Sequence, residues 1–152
     1  MLTKILSAAI YGVDVRTVEV EVNVVEGEPN EDGKIDHSTI VVGLPDAAIR
    51  ESRERVMNAI IQSQLRPPNG RTIVNLAPAD LRKSGTAYDL PIALCELGCV
   101  GMIPVSALNG IMVIGELALN GRVRPIQGGF ADGDARENVG TEVHHSAEGE
   151  CA

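Results

Sequence analysis

Aromatic residues are almost missing from this sequence. There is no Trp, and Tyr11, Tyr88 and Phe130 are the only others. Proteins that hold single-stranded nucleic acid stack its bases on aromatic faces, so that mode of binding is excluded. Basic charge is short as well: 13 Lys and Arg stand against 21 Asp and Glu, a net charge of −8. That is the wrong sign for gripping a phosphate backbone unaided, and weak or no DNA binding by the isolated chain is expected. Cysteine is sparse, at three residues, which fits a reducing compartment. Cys95 and Cys99 lie four apart and would share one helix face as small core residues. A metal site needs more ligands than this, and His37, His144 and His145 lie far off in sequence. No apolar run is long enough to cross a membrane. The opening "MLTKILSAAIYG" has only eight residues after Lys4 and includes Ser7, too short for the apolar core of a signal peptide. The cytoplasm is the expected location.

What the sequence does have is enough apolar material for one domain. It is 152 residues long and 44% hydrophobic, with mean hydropathy +0.07, as expected of a soluble globular chain with a core. Charge is unevenly spread: residues 1–129 carry 12 basic and 15 acidic groups, and residues 130–152 carry one and six. The last 23 residues are a separate, acidic stretch.

"TVEVEVNVV" (17–25) alternates apolar and polar residues, which predicts a half-buried strand with Val18, Val20, Val22 and Val24 inward. Residues 26–38 are rich in turn formers and acids and read as an exposed loop. "TIVVGLP" (39–45) reads as a short apolar strand. Asp46 then N-caps a helix running to about Gln64, with Ala48, Val56, Ala59 and Ile60 inward. Arg50, Glu51, Arg53, Glu54 and Arg55 fall on its solvated face. "RPPNG" stops it. Residues 71–78 form a strand, 79–87 a turn, and 88–101 a helix with Pro91 in its first turn. Val74, Leu76, Ile92, Ala93 and Cys95 are predicted core. Residues 103–108 suit a helical turn, 111–119 a strand, and Asn120-Gly121 a two-residue hairpin turn into a return strand at 122–126. There is no repeat and no linker before residue 129.

Nucleotide-binding signals are missing. Lys83-Ser84 has no Gly at the Walker spacing, and "GGFADG" has no Lys, so no nucleotide-binding residue is assigned. Glu116, after an apolar strand, suits a strand-end residue bonding a turn. Asp89, in the first helical turn, can accept from free backbone N–H groups, worth ~0.5–2 kcal/mol, or pair with Arg82 or Lys83.

Three motifs in order, "VGLPDAAIRESRERV" (42–56), "TIVNLAPADLRKSGTAYDLPIAL" (72–94) and "IGELALNGRVRPIQGG" (114–129), closely resemble the N-terminal domain of the magnesium-chelatase-like AAA+ ATPases, the ComM/YifB family. The resemblance covers residues 1–129; its one departure there is the longer acidic loop 26–38. It implies a Lon-protease-like fold, an α/β (α+β) two-layer sandwich with a mixed sheet and about two main helices. In Lon a Ser nucleophile opens the helix that matches 88–99, and a Lys base follows the strand that matches 122–126; the Lys takes the Ser proton. This chain has Tyr88-Asp89-Leu90 at the first place and no Lys at the second, so no catalytic residue is assigned. Asp89, Lys83, Ser84, Tyr88 and Glu116 are candidates for structural or pocket roles. The resemblance further implies an accessory domain ahead of an ATP- and Mg-using motor absent from this sequence. It also implies a hexameric assembly and action on DNA in branch migration during natural transformation. The alternatives are a degenerate Lon-type peptidase, or a module binding a small ligand or peptide at 84–90.

The resemblance stops at Gly129. Relatives continue with an apolar helix and a strand reading roughly "FIIPKENA". Codons permitted for 142–152, read one base out of frame, can spell Lys-Phe-Ile-Ile-Pro-Pro-Lys-Glu-Asn-Ala, so 130–152 reads as a frameshifted tail. Such an acidic tail is expected to be irregular, leaving apolar surface that favours self-association.

Overall fold

The computed structural model describes residues 1–126 and, beyond them, only the backbone of 144–145; the reading of the tail lies otherwise outside the described residues. Ten residues, Leu2–Tyr11, form β1, and thirteen, Asp14–Glu26, form β2. They make a long antiparallel hairpin, pairing from Leu2 with Asn23 to Tyr11 with Asp14. The loop between them is Gly12-Val13, with Gly12 at φ +61°; a positive φ at the first of two loop positions matches the twist of the strands. The valines of β2 behave as their alternation demands, and Val18, Val20, Val22 and Val24 are all buried.

The chain then crosses the exposed loop 27–38 into β3 (Thr39–Val42), α1 (Ala47–Gln62) and β4 (Gly70–Ala77). β4 pairs antiparallel with β2 and parallel with β3. Asp46 caps α1 by accepting from the Ile49 N–H at 2.9 Å. α2 (Asp89–Cys99) follows, then one 3-10 turn (Val105–Leu108). The short strands β5 (Ile111–Met112), β6 (Glu116–Leu117), β7 (Val123–Arg124) and β8 (His144–His145) complete the order. The main sheet runs β3-β4-β2-β1-β5-β8, and β6-β7 form a separate hairpin. Both helices pack on one face, where Ile5, Val20, Val22, Val74 and Leu76 meet Val56, Ala59, Ile60, Ile92 and Cys95. This is the expected two-layer α/β sandwich with a mixed sheet, and all five predicted core residues of β4 and α2 are buried.

Three local expectations change. β1 is a strand where the sequence pattern predicts no element. The expected strand 111–119 splits in two. β5 pairs with β1, the Val113 N–H donating to Leu6 C=O, and the chain then turns away toward the start of α2. There the Gly115 N–H donates to Ala87 C=O and Leu90 N–H to Gly115 C=O. A Cβ at Gly115 would stand 3.0 Å from Leu90, so glycine permits the close crossing. The hairpin turn holds three residues, 119–121: the Ala118 N–H donates to Arg122 C=O, and Gly121 takes φ +89°.

Candidate functional site

The residues singled out by sequence converge where α2 begins, with one exception. Asp89 is fully buried. It does not cap the helix: the N-cap residue is Tyr88, with no side-chain cap bond. Its partner is neither Arg82 nor Lys83 but Arg55 of α1, whose Nε donates to Oδ2 at 2.7 Å and Nη2 to Oδ1 at 3.0 Å. Oδ2 also accepts from the Leu117 N–H of β6 at 3.2 Å. Arg55 reaches back to the Ala48 C=O at 3.1 Å. One carboxylate thus ties α1, α2 and β6 together. Burial pushes the Asp89 carboxyl above the ordinary range, against the pull of Arg55 and of the Leu117 N–H; the bond to Asp89 raises Arg55 in turn.

Arg55 corrects the expected solvated face of α1. Its side chain is 21% exposed, and it belongs to the charge network of the layer. The signal was in the spacing: 52, 55 and 59 follow the 3-4 stripe of a helix, and Ser52 and Ala59 are buried. Ile49 and Ser52 complete that inward face, while Ala48 is only half-buried.

Lys83 is also fully buried. Its ammonium donates to the carbonyls of Gly43 at 2.7 Å and Leu76 at 2.8 Å, and to that of Pro78. Burial holds its pKa below the usual lysine value. Its backbone joins the same knot, N–H to Leu44 C=O and C=O from the Asp46 N–H, both at 3.1 Å. The second oxygen of Asp46 accepts from the Gly85 N–H at 3.0 Å, so the cap of α1 also positions the turn before α2. Ser84 is the exception: it is exposed in that turn, with Lys83 directed away from it. Tyr88 is buried and its hydroxyl has no partner among the described residues; burial raises its pKa. Glu116 is half-buried, accepts from Thr86 Oγ1 at 2.8 Å and lies 4.0 Å from Arg124. That is the turn-bonding role its strand-end position suggested.

Beside these groups lies an open cleft of about 580 Å³, lined by Gly85, Thr86, Ala87, Glu116, Arg124, Pro125 and Ile126. Among the described residues it offers one carboxylate, one guanidinium and one hydroxyl, with no nucleophile–base pair. The only lysines of the chain are Lys4, Lys34 and Lys83. Among the described residues no group of three His, Cys, Asp or Glu could hold a metal ion, and no helix is long and apolar enough to cross a membrane. Cys95 is buried and Cys99 half-buried, as their spacing suggested.

A family model described as subunit ChlI of Mg-chelatase matches residues 20–137, so the similarity runs past Gly129, where the sequence alone suggests that it stops. The uncharacterized protein YifB of Escherichia coli is 34% identical over 142 residues, covering 93% of this chain and 26% of that protein. The uncharacterized protein Rv2897c of Mycobacterium tuberculosis is 37% identical over 127 residues, 84% of this chain and 24% of that protein. The competence protein ComM of Haemophilus influenzae is 36% identical over 127 residues, 84% of this chain and 23% of that protein. The chain spans about a quarter of the length of the curated relatives it matches.

Proposed function

This chain belongs to the magnesium-chelatase-like ComM/YifB family, as its N-terminal segment, and from that premise we propose that it is a non-catalytic accessory module of a AAA+ ATPase. The observation that carries the reading is the state of Asp89. It stands where the resemblance would put a serine nucleophile, and both its oxygens are engaged in joining three elements. The one lysine nearby, Lys83, has its ammonium enclosed by three carbonyls and has no free lone pair to offer as a base. Ser84 therefore has no activating partner in Lys83, although the two are neighbours in sequence.

In this reading the chain neither binds nor hydrolyses ATP, because the phosphate-cradling loop is not in its sequence. ATP and Mg belong to the motor of longer family members, in a cytoplasmic hexamer that acts on DNA by branch migration in natural transformation. The name of the Haemophilus relative, a competence protein, supports that setting. DNA contact arises in the assembled ring, where repeated weak contacts add. An active-site-directed serine probe tests the first half: no labelling of this chain is expected, and stoichiometric labelling at Ser84 would refute it. Fluorescence anisotropy tests the second, with submicromolar, salt-sensitive DNA binding by the isolated chain as the contrary result.

The cleft beside Glu116 and Arg124 favours a second reading, a module that binds a small ligand or peptide there. A thermal-shift screen supports it if a ligand raises Tm in the wild type and not in Glu116→Gln.

A further inference from the structure

The outer edge of the sheet has the features of a strand acceptor. β3 is outermost, and its one strand neighbour among the described residues is β4. Along a strand, the peptide groups of alternate residues face opposite neighbours. The Thr72 N–H donates to Ser38 C=O at 2.9 Å, so Ser38, Ile40 and Val42 turn their peptide groups toward β4. Those of Thr39 and Val41 therefore face outward. Ile40 and Val42 stand 39% and 43% exposed, and Leu44, just beyond, is 50% exposed. Thr39–Leu44 contains no charge and no proline, whereas edges kept free of partners carry Lys, Pro or a bulge.

The end of this edge is held in place against its backbone preference. Gly43 has φ +101° and Leu44 φ +56°, the left-handed region that a leucine rarely adopts. Such a residue persists when its surroundings over-determine it. Here the surroundings are Lys83, which binds the carbonyls of both Gly43 and Leu44. The Leu44 side chain gains little burial in exchange.

We infer that Thr39–Leu44 is a docking edge for an extended apolar strand that adds to β3, and that this strand is carried on the same polypeptide in the longer family proteins. A free-standing protein complex buries on the order of 1,200–2,000 Å², and a four-residue edge with one leucine supplies only a small part of that. The same shortfall disfavours a second copy of this chain pairing β3 to β3. A tether supplies the missing concentration, and most of the relatives' length lies outside the part this chain matches. The source of the strand rests on the accessory-module reading; the edge itself does not.

Amide hydrogen exchange read by NMR tests it, on the full chain and on the full chain fused through a Gly/Ser linker to a six-residue Thr-Val repeat. In the unfused chain, Thr39 and Val41 exchange at least tenfold faster than Ile40 and Val42. The fusion slows Thr39 and Val41 at least tenfold. A fusion with Pro at alternate positions does not, and Val41→Pro in the acceptor removes the slowing at Thr39. Protection of Thr39 and Val41 without the fusion overturns the inference: if it grows with concentration the occupant is a second copy, and if it does not the edge is covered by this chain itself. A fusion that leaves both amides fast also overturns it. None of these readouts involves serine labelling or DNA, so the edge and the accessory reading can fail separately.

Discussion

Removing the Asp89 carboxylate separates two accounts of that residue by magnitude. A helix cap is worth ~1 kcal/mol. A buried, bidentate ion pair broken from one side costs about 3–5 kcal/mol, because it strands the other charge. Here Asp89→Ala strands the Arg55 guanidinium and the Leu117 N–H together. Arg55 keeps a 21% exposed side chain and its bond to Ala48, so part of its charge can turn to water. The lower end, about 3 kcal/mol, is expected. For a chain of this length that lowers Tm by roughly 6–12 °C. Urea unfolding followed by far-UV circular dichroism measures it, alongside Arg55→Met and the double variant. The double variant should cost clearly less than the two single costs added, since each single change strands a partner that the double removes. A loss near 1 kcal/mol with additive singles would refute the ion-pair account and return Asp89 to a local cap.

The other predictions concern groups whose burial dictates the outcome. Burial pushes the Glu96 carboxyl up to about 8, and its Oε2 has no partner among the described residues. The folded form thus prefers the neutral acid. Its stability advantage is complete below the unfolded pKa near 4.5 and is lost as pH rises toward 8, at about 1.4 kcal/mol per pH unit. Urea titrations from pH 5 to 8 should show Glu96→Gln falling less steeply than the wild type, and parallel profiles would contradict the assignment. Gly43→Ala should destabilise by at least ~2 kcal/mol, since its Cβ would stand 2.0 Å from Leu76 O at φ +101°; Gly12→Ala, with nothing within 4 Å, is the milder control in a thermal melt. Burial raises the Cys95 thiol to about 12, so native-state alkylation by iodoacetamide should modify Cys99 well before Cys95, and equal rates would overturn the packing of α2.

The parts of the fold that the sequence disclosed were those written in local pattern. Val18 to Val24 alternate over a strand with one buried face, and Asp46 precedes a helix whose third N–H it accepts. β1 is hidden because three of its four alternate inward positions, Thr3, Ser7 and Ala9, are small or polar and only Ile5 is a large apolar residue, so the alternation carries little hydrophobic contrast. The break at Ile114–Gly115 was hidden because an apolar run looks the same whether or not a glycine lets it leave the sheet. At the site, the importance of Asp89 was legible and its partner was not. Arg55 lies 34 residues away, and only the packing of α1 on α2 brings them together.

Lys83 and Asp89 together explain how a turn that resembles a catalytic one serves as a joint. A nucleophile needs a side chain that can move into attack and a base that can change its protonation state. Both charged groups here are held by partners, Lys83 by three carbonyls and Asp89 by Arg55 and the Leu117 N–H. Lys83 must stay an ammonium to hold three carbonyls, because neutral amine would lose donors those carbonyls need. Asp89 holds Arg55 through two hydrogen bonds, with Glu116 and Glu51 as the further anions acting on that guanidinium. These bonds fix α1, α2, β6 and the Gly43–Leu44 turn relative to one another. The same lysine binds the carbonyls of Gly43 and Leu44, just beyond the end of β3, the outermost strand among the described residues. One lysine thus links the turn ahead of α2 to the end of β3 through the carbonyls of Gly43 and Leu44.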